Sequence, residues 1–140
     1  MKLLIALLLL TPVMSFAKVK PNPTYRRQSA SHPAESFNVI INTGQKRAWY
    51  KIWQDKNGKF YAASNGGQPT VGVLSEQNFQ FLNMQSRQVA SMPAVSTAVC
   101  QKSNMMLVKN GKVIRSACIG AKNKTTLKMT ELAGFLAMLQ

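Results

Sequence analysis

The tetrapeptide Lys-Asn-Gly-Lys occurs twice in this chain, within "DKNGKFY" (55–61) and within "VKNGKVI" (108–114). Both copies lie between runs rich in β-branched and aromatic residues. A two-residue type I′ hairpin loop needs positive φ at both central residues, which Asn-Gly tolerates best. The chain is therefore expected to contain two antiparallel hairpins, with loops at Asn57-Gly58 and Asn110-Gly111. Each loop sets a register. The first places Lys56 opposite Lys59 and Trp53 opposite Ala62. The second places Leu107 opposite Ile114, Asn104 opposite Ala117 and Ser103 opposite Cys118.

Alternation along a strand sorts side chains onto two faces. In the first hairpin one face carries Tyr50, Ile52, Tyr61 and Ala63; the other carries Arg47, Trp49, Lys51, Trp53 and Phe60. A further strand is signalled upstream, where Phe37, Val39 and Ile41 alternate with Asn38, Ile40 and Asn42 and the run ends at Thr43-Gly44. Residues 65–69 ("NGGQP") read as a loop. Ser75 is placed to cap a helix whose first turn holds Glu76 and whose apolar stripe is Phe79, Leu82 and Val89, ending before Pro93. After the second hairpin, "GAKNKTT" reads as a basic loop. Thr130-Glu131 then opens a last helix, "ELAGFLAML", apolar nearly all round as a buried helix is.

Hairpin, loop and helix thus follow one another twice. Asn57 to Ser75 spans 18 positions and Asn110 to Thr130 spans 20. That order raises a ββα pseudo-repeat, although outside the turn tetrapeptide the two units share almost no identity. The expected fold class is α+β: a small antiparallel sheet built from two hairpins and packed against two helices.

The amino terminus reads as a secretory signal over 1–17. Lys2 supplies the basic start, residues 3–10 the apolar run, and Ser15 and Ala17 the small residues before a cut. The run is shorter than the roughly 20 apolar residues that a spanning helix needs. Cleavage near Ala17 leaves 123 of the 140 residues and a secreted or periplasmic protein. Residues 18–36, rich in Pro, Ser and charge and without apolar periodicity, read as a flexible basic leader. Residues 37–140 form a single domain, long enough to bury a core of its own.

An oxidising destination favours a disulfide between the only two cysteines, Cys100 and Cys118. The hairpin register does not place them opposite each other. The chain between Cys100 and Met105 must then bend, bulge or turn, and the bridge pins a loop to the end of the second hairpin.

Charge is the strongest global signal. The chain has 18 Lys and Arg against 4 Asp and Glu, for a net +14; loss of Lys2 leaves 17 against 4, or +13. Such a field attracts anionic polymers and envelope surfaces: acidic glycans, lipid headgroups or nucleic acid. Catalysis is poorly supplied. Glu76 and Glu131 fit helix starts, Asp55 sits beside a turn and Glu35 lies in the leader. His32 is the only histidine, it also lies in the leader, and a bridged cysteine is no nucleophile. No ligand spacing for a metal and no Gly-rich phosphate loop is present, so no cofactor is expected.

The candidate binding residues are Arg47, Trp49, Lys51 and Trp53, with Lys122, Lys124 and Lys128 adding positive field. Alternating cations and aromatic rings on one strand face suit a sugar, a nucleobase or an anionic chain. The same pattern also fits two core tryptophans with Arg47 and Lys51 reaching past them to water. The expectation is an exported, non-enzymatic binding domain for an anionic polymer or surface. The alternative is a secreted interaction module, an inhibitor or effector, that docks on a protein partner.

Overall fold

The computed structural model describes residues 35–140; the signal segment, most of the leader and His32 lie outside them. Six strands and two helices follow in the order β1 (Glu35–Thr43), β2 (Lys46–Asp55), β3 (Gly58–Ser64), β4 (Thr70–Val73), α1 (Glu76–Ser91), β5 (Ser103–Lys109), β6 (Lys112–Cys118) and α2 (Lys124–Ala137). The strands form one sheet in the order β4-β3-β2-β1-β5-β6, antiparallel throughout. The fold is α+β, with both hairpins present. β1 joins them, pairing β2 on one side and β5 on the other.

Both helices pack on one face. Phe37 and Val39 of β1, Tyr50 and Ile52 of β2, Tyr61 and Ala63 of β3, Met105 and Leu107 of β5 and Ala117 of β6 project towards them. Phe79, Leu82 and Val89 of α1 and Met129, Leu132, Ala133 and Leu136 of α2 complete this core. Each fully buried Leu or Ile contributes about 1.5–3 kcal/mol of transfer free energy. The buried Tyr61 hydroxyl donates to the Leu136 carbonyl at 3.1 Å, which satisfies it and ties α2 to the sheet.

Ser75 caps α1, its hydroxyl accepting from the Asn78 N–H at 3.1 Å. α2 starts seven residues earlier than expected. Asn123 is its cap, accepting from the Thr126 N–H at 2.8 Å, and Thr125, Thr126 and Met129 are buried in its first turns. Thr125 and Thr126 are weak helix formers, and packing overrides that preference. Glu131 consequently lies mid-helix and pairs with Lys128 at 2.7 Å. β4, a four-residue edge strand containing Gly72, is not among the strands expected from the sequence, although three of its four residues are β-branched. β1 begins at Glu35, two residues ahead of the expected domain start.

The two Lys-Asn-Gly-Lys copies turn differently. Asn110 (φ 47°) and Gly111 (φ 82°) form the expected loop with two positive φ angles. In the first copy the loop is Lys56-Asn57. Asp55 caps it by accepting from the Asn57 N–H at 2.6 Å, and Gly58 (φ 139°) opens β3. Trp53 therefore faces Phe60, not Ala62, and Lys59 faces Gln54, not Lys56. The sum of paired residue numbers changes by two, an even step, so every side chain keeps its expected face.

β2 and β5 both run antiparallel to β1 on its two sides, hence parallel to each other. β3 lies outside β2 and β6 outside β5. Seen from the helix side, the two hairpins step in opposite directions, and no rotation that keeps the helices facing the viewer superposes them. The recurring tetrapeptide is turn chemistry used twice, and the topology does not support a ββα repeat.

Cys100 and Cys118 are bridged, with Cα atoms 5.5 Å apart. Two local departures allow it. Ile114 is extra in β6: Val108 faces Val113, but Leu107 faces Arg115, which moves Cys118 opposite Asn104. Before β5 the chain turns, with the Cys100 N–H on the Thr97 carbonyl and the Ser103 N–H on the Cys100 carbonyl. The bridge thus pins a loop to the end of the hairpin. No helix among the described residues is long and apolar enough to cross a membrane.

Candidate functional site

The sheet face opposite the helices carries the other half of the alternation. Its side chains run in rows across the strands, read from the pairing. Val73, Phe60, Trp53 and Ser36 form one row; Val71, Ala62, Lys51 and Asn38 a second; Ser64, Trp49 and Ile40 a third. No described element packs on this face. Trp49 and Trp53 are half-buried there, outside the helix-covered core. Trp53 packs on the Phe60 ring, centroids 5.5 Å apart and planes at 38°.

Along β2 the order on this face is Arg47, Trp49, Lys51, Trp53. The two tryptophans are four positions apart, about 13 Å along an extended strand, with Lys51 between them. The Lys51 ammonium lies 5.4 Å from the Trp53 ring centroid, within cation–π range, worth about 0.5–1 kcal/mol where solvent reaches it. A ligand anion at Lys51 would thus meet a cation already oriented by an aromatic face.

Arg47, Trp49 and Lys51 line an open depression of about 500 Å³ with Asn38, Ser64, Gly66 and Gly67. The loop that forms its far wall is held in place. The Ser64 hydroxyl donates to the Gly67 carbonyl at 2.9 Å, the Tyr50 hydroxyl donates to Asn65 Oδ1 at 3.2 Å, and Asn65 Nδ2 donates to Gln140 Oε1 at 2.8 Å. Gly66 (φ 92°) supplies the left-handed turn. Burial pushes the Tyr50 hydroxyl above its usual range. Asn38 Oδ1 is buried without a hydrogen-bond partner among the described residues. Such an orphan acceptor costs free energy that a donor on a bound ligand would recover.

Sequence alternation identifies Arg47, Trp49, Lys51 and Trp53 as one face, and the structure brings them together. Lys122, Lys124 and Lys128 are not on that sheet face, although the first two share a sheet end with Arg47. Lys122 and Lys124 are exposed at the start of α2, and Lys128 is engaged by Glu131. Asn38, Ser64, Gly66 and Gly67 were not legible as site residues; the period-two pattern places Asn38 opposite Val39, but only strand pairing sets it beside Lys51. The carboxylates lie elsewhere. Glu35 pairs with Arg87 at 2.9 Å, Glu76 with Lys59 at 2.5 Å, and Asp55 caps its turn. Hydrogen bonds from Lys59 and Gln80 hold the Glu76 carboxyl below the usual glutamate range. No three His, Cys, Asp or Glu among the described residues cluster as metal ligands. No family model, no curated protein and no solved structure matches this chain.

Proposed function

We propose that this is an exported, non-enzymatic binding domain that takes an anionic polymer along β2 on the helix-free sheet face. Trp49 and Trp53 act as stacking platforms, Arg47 and Lys51 as anion contacts, and Asn38 as the polar group that fixes register. The observation that supports this most directly is the Arg47-Trp49-Lys51-Trp53 strip beside a depression, on a face that no described element covers. Neither Arg47 nor Lys51 has a salt-bridge partner among the described residues, so both charges are available to a ligand. A Trp here has an energetic cost to remain half-exposed, since its apolar surface favours burial.

The test is titration with heparin and with polyuridylate, read by tryptophan fluorescence over a salt series. Binding should weaken steeply with salt because the contacts are exposed ion pairs. Trp53→Ala should weaken it roughly five- to hundredfold, the range for one aromatic platform. The same variant should melt close to the parent, because Trp53 lies outside the core. Salt-insensitive binding, or a Trp53→Ala variant that binds normally, would count against the proposal.

A further inference from the structure

The two ends of the sheet differ in charge. One end carries the β1–β2 turn, the loop before β5 and the loop between β6 and α2. The strand directions bring these together, and the Gly44 N–H donates to the Lys102 carbonyl at 2.7 Å, the Ile119 N–H to the Ser103 carbonyl at 3.1 Å. Lys46, Arg47, Lys102, Lys122 and Lys124 are all exposed here. The chain's four carboxylates are elsewhere. Glu35 starts β1, Asp55 ends β2 and Glu76 starts α1, all at the opposite end; Glu131 is mid-α2 and paired with Lys128. No acidic side chain lies at the basic end.

Two apolar side chains project from the same end, beside the disulfide. Val99, next to Cys100, is 95% exposed, and Ile119, next to Cys118, is 39% exposed. The bridge and the turn around Cys100 hold the loop that presents Val99. Asn104 Nδ2 adds a hydrogen bond to the Gln101 carbonyl at 2.9 Å. A protruding apolar tip at a basic sheet end needs no complementary pocket. It fits a surface that is anionic outside and apolar just beneath.

We propose that this end of the molecule is a docking surface for an anionic lipid membrane, with the lysines at the headgroups and the Val99 and Ile119 side chains entering the headgroup–acyl boundary. Lipid is favoured over an acidic protein because the contacts come from three separate segments along one sheet end. From β2 to β6 those strand ends span about 14 Å, a broad front with Val99 protruding from it. Each basic side chain near an anionic surface contributes about fivefold in partitioning, and apolar insertion adds to it. The proposal shares Arg47 with the polymer reading but rests on other residues, chiefly Lys102, Lys122, Lys124, Val99 and Ile119. The two are compatible, since β2 leads away from this end and a docked molecule would hold its tryptophan strip across the membrane surface.

The experiment is cosedimentation of the purified protein with phosphatidylglycerol–phosphatidylcholine vesicles and with phosphatidylcholine vesicles alone. All variants carry the same amino-terminal segment, so differences between them read the domain. The triple variant Lys102→Glu, Lys122→Glu, Lys124→Glu should lose binding to the anionic vesicles by more than a hundredfold. The triple Lys56→Glu, Lys109→Glu, Lys112→Glu makes the same change in net charge at the opposite end and should lose at most about tenfold. Val99→Asp should lose at least fivefold, whereas Val113→Asp, exposed by the second hairpin loop, should bind as the parent does. Trp53→Ala should retain vesicle binding, which separates this proposal from the polymer site. Equal losses from the two triples would mean attraction by net charge alone and would overturn the proposal, as would equal binding to the uncharged vesicles or normal binding by Val99→Asp.

Discussion

Replacing both cysteines with serine, Cys100→Ser with Cys118→Ser, tests how the bridge stabilises the domain. Eighteen positions separate the two residues. Closing a loop of that length in the denatured chain corresponds to about 3 kcal/mol at 25 °C. In the folded state the turn has other restraints. The Cys100 N–H reaches the Thr97 carbonyl, the Ser103 N–H reaches the Cys100 carbonyl, and Asn104 Nδ2 bonds the Gln101 carbonyl. The native contacts should therefore survive, and the loss should arise in the denatured ensemble. Urea unfolding is the assay. With a slope of about 1–3 kcal/mol/M, the midpoint should fall by about 1–3 M, and the slope should rise because the open chain exposes more surface. The native amide spectrum should change only near residues 92–104 and 116–120. A midpoint shift below about 0.3 M, or spectral changes that spread into the helices, would refute the denatured-state account.

Burial, with Tyr50 alongside, pushes the Tyr61 hydroxyl far above its ordinary range. The folded state thus keeps a proton that the unfolded chain releases near pH 10, so stability should hold below pH 10 and fall as the pH rises beyond it. Urea midpoints from about pH 8 to about pH 11 should show that fall. Tyr61→Phe should flatten it while costing about 1 kcal/mol at neutral pH through the lost bond to Leu136, and an unchanged alkaline slope in that variant would contradict the assignment. The twin turns should respond differently to the same substitution. Asn110→Ala loses a residue suited to positive φ and an acceptor for the Ser36 N–H at 2.9 Å, and should cost about 1–2 kcal/mol. Asn57→Ala removes neither and should stay within about 0.5 kcal/mol; equal costs in chemical denaturation would show that the turns are alike after all.

Much of the candidate site was legible because it depends on parity. Arg47, Trp49, Lys51 and Trp53 share a face for any register, and an even shift in pairing left that face intact. Whether the tryptophans belonged to the core was not legible. Alternation defines two faces but does not say which one the helices cover. That was decided by Phe79, Leu82, Leu132 and Leu136, which meet Tyr50, Ile52 and Tyr61. Asn38 became a site residue only because β1 inserts between the two hairpins.

The sequence by itself determined the local events: two turns at Lys-Asn-Gly-Lys, the cap at Ser75, the alternation of β1 and β2, and the need for a bend beside Cys100. These follow from one residue's dihedral freedom or from the two-residue period of a strand. Tertiary structure decided the central place of β1, the extra residue Ile114 that brings Cys118 within reach of Cys100, and the early start of α2 at Asn123. It also placed Lys46, Lys102, Lys122 and Lys124 at the sheet end away from Glu35, Asp55 and Glu76. Each of these depends on pairing or packing between segments far apart in the chain, where burial outweighs local preference and no short stretch carries the signal.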